Sequence, residues 1–188
     1  MKTTVAAIIL AAGQGSRIGQ PKLFLRTADR TFLEAVIKTL ETAGVTDITV
    51  VVRPADEERA RELVGAHLAR VNEHPENGPL SSLRIGLDAL PGCDGYLVFP
   101  VDHPEVGTGT VTALLAAFDA RRGAVIKPAF RGKAGHPVII PAQLARTIDG
   151  ADVAGGLANL IAGSGLSVAA VEVDDPTVLK NINTKDDL

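Results

Sequence analysis

The 188-residue sequence predicts an α/β fold on a doubly wound, mostly parallel sheet, with a small β-hairpin-containing lobe after about residue 123. Two observations lead there. Short runs of Val, Ile, Leu and Ala alternate with stretches whose apolar residues recur at helical spacing, the order that sets parallel strands beneath crossover helices. Aromatic residues make up only 3% of the chain and tryptophan is absent, so the core must be aliphatic. Such a core suits strands buried on both faces.

The elements follow in order. Residues 5–10, VAAIIL, form an unbroken apolar run and read as the first strand. Residues 31–43 place Phe32, Leu33, Val36, Ile37 and Leu40 on one helical face, and Gly44 ends the pattern. A second strand is expected at 47–52 and a charged amphipathic helix at 56–68, with Glu57, Arg61, Glu58 and Glu62 facing outward. A third helix (81–90), a buried strand (96–99) and a fourth helix (110–120) come next. Beyond Gly123 the pattern changes: apolar runs at 124–128 and 137–141 flank a polar turn at 130–135, as in a hairpin. A helix near 153–162, a strand at 166–173 and a short C-terminal segment complete the chain. No repeat or linker interrupts it, so one domain over 1–188 is expected. In such folds ligands sit outside the carboxyl ends of strands, where loops 10–22 and 99–104 would fall.

Composition excludes several classes of function. A net charge of −3 argues against a general nucleic-acid binder. Cys93 is the only cysteine, so neither a disulfide framework nor a thiolate metal cluster is expected. Its Pro91-Gly92-Cys93-Asp94-Gly95 setting holds no base to make it a nucleophile. Without a leader or a membrane-length apolar run, the expected location is the cytoplasm.

The loop after the first strand, LAAGQGSRIGQPK over residues 10–22, carries the chemistry. Gly13, Gly15 and Gly19 let the backbone turn sharply and present its amides to an anion. Arg17 and Lys22 add positive charge suited to phosphate oxygens. The glycine spacing is one residue too long for the dinucleotide fingerprint, and Pro21 disfavours the helix that this fingerprint needs. No Gly-Lys is followed by Ser or Thr, so this is not a Walker loop. A strand, an amide-rich loop and two cations read as a nucleoside triphosphate site, against the plainer alternative of a ligand-free glycine turn.

These residues resemble the signature of the MobA-like nucleotidyltransferases, L-A-[AG]-G, then R-x-G and P-K, at Leu10, Ala11, Ala12, Gly13, Arg17, Gly19, Pro21 and Lys22. Ala12 is similar to the cytidylyltransferase branch that acts on molybdopterin; glycine is usual in the guanylyltransferase branch. The resemblance implies a Rossmann-like nucleotidyltransferase fold, with a nucleotide-binding half near 1–107 and an acceptor-side half near 108–188. It implies that the loop, Gly15 and Ser16 included, holds the β and γ phosphates, that Arg17 stabilises the leaving pyrophosphate and that Lys22 reaches the α-phosphate.

Three further segments extend the resemblance. Asp102, in Phe99-Pro100-Val101-Asp102-His103-Pro104, is by itself more often a turn residue or helix cap than a ligand; the family's D-x-P setting implies that it holds Mg²⁺. Asn72, Gly78, Ser81 and Ser82 match a stretch beside the nucleobase, where either serine could also cap the following helix. Residues 131–138 look like G-x-x-G-[HN]-P-V, which implies substrate contacts from Arg131 and His136, with His103 beside them. Lys133 would help Arg131 steer phosphate, and His136 could instead be a plain turn residue.

Two departures stand out. The family ending D-I-D-T is here Asn181-Ile182-Asn183-Thr184, so the second metal ligand, Asn183, brings an oxygen without charge. Thr184 and Asp187 also suit a helix-capping box. Residues 149–157 keep Asp152, Gly155 and Gly156 of G-D-x-G-[AV]-R but lack its basic residue.

The implied activity is Mg²⁺-dependent transfer of a nucleoside monophosphate from an NTP, with CTP favoured, to a molybdopterin-type phosphorylated acceptor, releasing pyrophosphate. A molybdoenzyme maturation partner, but neither nucleic acid nor membrane, is the expected company. Two alternatives stay open: a sugar-phosphate transferase, and a non-catalytic nucleotide-binding homologue with a weakened metal site.

Overall fold

The computed structural model describes residues 3–13, 19–27, 29–64, 69–148, 156–183 and 187. In chain order these form β1 (Val5–Leu10), β2 (Arg26–Thr27), β3 (Arg30–Thr31), α1 (Phe32–Thr42), β4 (Ile48–Val52), α2 (Glu57–Val64), β5 (Ala69–Val71) and α3 (Pro79–Asp88). There follow β6 (Gly95–Pro100), α4 (Thr108–Ala120), β7 (Val125–Phe130), β8 (Lys133–Ala134), β9 (Val138–Pro141), α5 (Ala142–Ala145), α6 (Gly156–Gly163) and β10 (Val168–Glu172).

The main sheet runs β10-β7-β9-β6-β1-β4-β5, with β8 added beside β7. β1 is parallel to both β4 and β6, β4 to β5, and β10 to β7. Only β9 and the short β8 run the other way, β9 against both β6 and β7. Alternate residues of each central strand enter opposite apolar layers, as the pleat requires. Ala7, Ile9, Val50, Leu97 and Phe99 pack with Leu33, Val36 and Leu40 of α1 and Val111, Leu114 and Phe118 of α4. Ala6, Ile8, Val51, Tyr96 and Val98 pack with Leu80 and Leu83 of α3, Leu144 of α5 and Ile161 of α6. This is the doubly wound α/β architecture that the alternating pattern predicts.

Local chemistry explains the element ends. α1 opens with a capping box: the Glu34 amide donates to the Thr31 hydroxyl, and the Glu34 carboxylate accepts from the Thr31 amide. α3 packs so close to β1 that a Cβ on Gly86 would lie 2.3 Å from Ile8 Cγ2.

Several bounds differ from expectation. α3 starts at Pro79, two residues early, because proline is preset for the first helical position. α4 likewise starts at Thr108. The expected hairpin is real but not detached, since β9 is threaded between β6 and β7 of the main sheet. β5, the β2–β3 ribbon and α5 are additions that their short sequences did not announce. No helix among the described residues is long and apolar enough to cross a membrane.

Candidate active site

From β1 the chain winds outward through β4 and β5, then returns to place β6 on the other side of β1. Loops leaving β1 and β6 therefore diverge and open a crevice, the place where such sheets bind ligands. Because β9 is reversed, its start, not its end, meets the same edge. A cavity of about 660 Å³ lies there, ample for a nucleotide. Leu10, Ala11, Ala12 and Gly13 form one wall, Gly78, Pro79 and Ser82 at the head of α3 another, and Asp102, Lys22, His136 and Asn183 belong to a third.

Lys22 stands on a single 3-10 turn, Lys22–Phe24, pinned by buried Leu23 and Phe24. Its Nζ donates to Asp102 Oδ2 at 2.8 Å and to Asn183 Oδ1 at 2.6 Å. Both ends of the ion pair are mostly shielded, with side-chain exposures of 17% and 19%. Partial burial strengthens the attraction relative to a surface pair.

Asn183 arrives on a strap that crosses the crevice. Asp175 starts it, its carboxylate accepting from Gly107 N, Thr110 Oγ1 and Thr177 N. Burial pushes the Asp175 carboxyl up, but these hydrogen bonds outweigh it and hold the group below the ordinary aspartate range. His136 N then donates to Val178 O at 2.9 Å, and Ile182 N to Asp102 O at 3.0 Å. The strap thereby ties the β9 entrance to the loop after β6. Asn183 N donates to the Asp187 carboxylate at 3.0 Å.

The other expected residues divide. Asn72 is buried, with Nδ2 donating to Ser81 Oγ and Ser82 Oγ at 2.8 and 2.9 Å, and Oδ1 accepting from His74 N at 2.9 Å. It braces the turn behind the wall, whereas Gly78 and Ser82 face the cavity. Neither serine caps α3: the helix begins at Pro79, its cap residue is Gly78, and both serines lie inside the first turn. Gly78 takes φ 85°, a conformation that favours glycine.

The His103 and His136 rings lie tilted at 49° with centroids 5.1 Å apart, and the Nδ1 atom of each is buried without a protein partner. Burial holds both imidazoles below the ordinary histidine range, His136 at about 4. His136 lines the cavity; His103 lies behind it, Nε2 3.9 Å from Asp102 Oδ1. Arg131 is exposed at φ 51°, its guanidinium 5.0 Å above the Phe130 ring and away from the cavity wall. Gly15, Ser16, Arg17, Asp152, Gly155 and Thr184 lie outside the described residues. Sequence reading passed over Leu157 and Ala158, which line the cavity from α6, and Asp175, whose Asp-Pro-Thr setting is the signal of a side-chain-held turn.

The arrangement offers a polyphosphate a bed of main-chain groups and an ammonium, opposite two oxygens that converge on a cation. The family profile for the MobA-like NTP transferase domain matches residues 7–170. A Bacillus mycoides (strain KBAB4) protein named "Probable molybdenum cofactor guanylyltransferase" is 33% identical over 129 residues, 68% of this chain and 63% of that one. The match therefore spans less than two thirds of the relative's length. Among solved structures, Rv0371c of Mycobacterium tuberculosis H37Rv superposes with a TM-score of 0.84 at 24% identity, covering 98% of this chain and 95% of that one. That protein has also been solved in complex with manganese. A nucleotidyl transferase from Methanothermobacter thermautotroptrophicus gives 0.80 at 26% identity, with 98% and 94% covered. With the profile match running from β1 into β10 and so including Asp102 and Lys22 of the crevice, the chain belongs to the MobA-like NTP transferase family.

Proposed function

We propose that the chain transfers a nucleoside monophosphate from an NTP to a phosphorylated acceptor of the molybdopterin type, with Mg²⁺ as cofactor and pyrophosphate as leaving group. The observation that carries this reading is the meeting of Lys22 and Asp102 at 2.8 Å in the mouth of the β1–β6 crevice. An acceptor phosphate oxygen attacks the α-phosphorus, and the P–O bond to pyrophosphate breaks. Such a transfer needs in-line alignment and neutralised charge more than covalent help. Residues 10–13 cradle the phosphates, Lys22 takes up negative charge as it moves toward the leaving group, and Arg17 is assigned to the pyrophosphate. His136, neutral on the cavity wall with a free Nδ1, and the more distant Arg131 and Lys133 are assigned to the acceptor.

Asp102 and Asn183 would hold the metal. Their oxygens already converge on a single cationic atom, Lys22 Nζ, and both are hard donors. Among the described residues no group of three His, Cys, Asp or Glu side chains forms a complete cage. That suits an ion that takes one or two protein carboxylates and completes its shell with phosphates and water. When bound, the ion supplies Lewis-acid neutralisation of the phosphate oxygens.

Cytidine is the favoured base, because Ala12 matches the cytidylyltransferase branch that this loop resembles, where the guanylyltransferase branch usually has glycine. The name of the Bacillus relative supports GTP as the second reading. The product is assigned to delivery toward a molybdoenzyme maturation partner.

Thermal shifts with CTP, GTP, ATP and UTP, with and without Mg²⁺, test the base. A ligand at a hundredfold excess over Kd adds about 2.7 kcal/mol to stability. CTP should give the largest shift, and equal shifts for all four would overturn the choice. Pyrophosphate release with a molybdopterin acceptor should be largely lost in Lys22→Ala and Asp102→Asn. Near-normal release by both variants would overturn the whole reading.

A further inference from the structure

We propose that Lys22 is a cation latch: before nucleotide arrives, its ammonium fills the place between Asp102 and Asn183 that a divalent ion would take, so the ion enters only together with a polyphosphate. The inference rests on the transferase reading and deepens it. Three observations carry it.

First, the ammonium contacts both candidate ligand oxygens at once, at 2.8 and 2.6 Å. Second, the trio in contact is balanced within itself: Asp102 contributes one negative charge, Lys22 one positive, and Asn183 none, while the Asp187 carboxylate is turned to the Asn183 amide. A free divalent ion between the two oxygens therefore finds the Asp102 charge already neutralised, and no second carboxylate at residue 183. Third, backbone contacts hold the frame on every side while the lysine side chain faces open space. Buried Leu23 and Phe24 anchor its backbone, and Asp102 and Asn183 are held through Ile182 N and the Asp187 carboxylate. Lys22 itself lines the open cavity, so its four-carbon stem has room to turn toward phosphates at residues 10–13. A polyphosphate carries several negative charges and outcompetes a lone carboxylate for the ammonium. Its departure exposes both oxygens when the incoming phosphates can complete the ion's shell. The order of events is thus written into one side chain.

The test uses Mn²⁺ alone as probe and the nucleotide-free full chain, with bound ion measured from loss of the free-ion EPR signal. Wild type should bind weakly. Lys22→Met, and Lys22→Gln as a second uncharged variant, should bind about tenfold or more tightly, since a like charge a few ångströms away is gone. Adding Asp102→Asn should abolish that gain, and circular dichroism confirms that each variant is folded. Equal Mn²⁺ affinity in wild type and both lysine variants overturns the latch, as does a gain that survives Asp102→Asn. Tight binding by wild type that Asp102→Asn removes overturns the latch yet leaves the proposed metal role of Asp102 standing. The transferase reading itself fails separately, on the pyrophosphate assay.

Discussion

Replacing Gly135 with alanine should unfasten the strap that completes the crevice. The added Cβ would lie 2.1 Å from Val178 O, 2.7 Å from Val178 C and 3.1 Å from Val178 Cβ. Neither side yields cheaply. Gly135 N donates to Pro128 O at 2.9 Å, His136 N donates to Val178 O at 2.9 Å, and the Val178 side chain is fully buried. Relief means moving the strap off the β9 entrance and losing the bond from His136. Overpacking of this kind costs about 1–3 kcal/mol, and the lost hydrogen bond about 1 kcal/mol more. For a chain of this size each kcal/mol lowers Tm by roughly 2–4 °C, so a drop of about 4–16 °C is expected. The same strap brings Asn183 to Lys22 and Ile182 to Asp102, so NTP affinity should fall with it. Gly109→Ala is the matched control: its Cβ would meet nothing within 4 Å, and in α4 it should raise stability by up to about 1 kcal/mol. Scanning fluorimetry and urea unfolding on both variants, followed by NTP titration, decide the matter. A Gly135→Ala variant that melts with wild type refutes the steric argument. One that melts lower but keeps full NTP affinity refutes the link from strap to site.

Three other outcomes are expected. Thr31→Ala should cost about 1 kcal/mol by removing the α1 cap. Hydrogen bonds from the Thr31 hydroxyl and amide hold the Glu34 carboxyl below 4.5, so the cap's contribution is present above that pH and is lost as pH falls through the depressed value. Urea melts across the acid range should therefore show a shallower loss in the variant. His136 is lowered by burial, then by neighbouring His103, from 6.5 to about 4. Between those values the unfolded chain binds the extra proton, so stability should climb with pH across the window, and His136→Gln should flatten the climb. Asn72→Ala removes the three hydrogen bonds that shape the 72–82 turn; urea unfolding should show a loss of about 2 kcal/mol, and steady-state kinetics a larger rise in KM for NTP than fall in kcat.

How much was legible in the chain depended on where each determinant lies. β1 and β6 stood out as apolar runs, and β4 as a β-branched run polar only at Thr49, because both of their faces are buried. α1 was visible through its periodic apolar face and the Gly44 that ends it, while its Thr31–Glu34 capping box emerged only in the structure. β5 was not: Ala69-Arg70-Val71 carries too little pattern, and only pairing with Val50–Val52 of β4 makes it a strand. The place of β9 depends on a ladder to β6, with Ile140 opposite Tyr96, which no local signal encodes. In the site, residue type pointed to Lys22 and Asp102, but their contact spans 80 positions and belongs to tertiary structure. Asn72 has the right type and spacing for a base contact, yet its amide is spent on Ser81 and Ser82. Residue type pointed to Arg131 as an acceptor contact, but its place off the cavity wall, exposed over Phe130 at the hairpin turn, is set by the pairing of β7 with β8.

The reversed direction of β9 has a practical corollary. Arg131 and Gly132 form the exposed tip between β7 and β8, so this tip can be recut while the ladders behind it, and the bonds from Gly135 to β7 and from His136 to the strap, stay in place. Under the proposed transferase function, grafting at this tip offers a route toward new acceptors, because residues 10–13 belong to a different stretch of chain on the far side of β6.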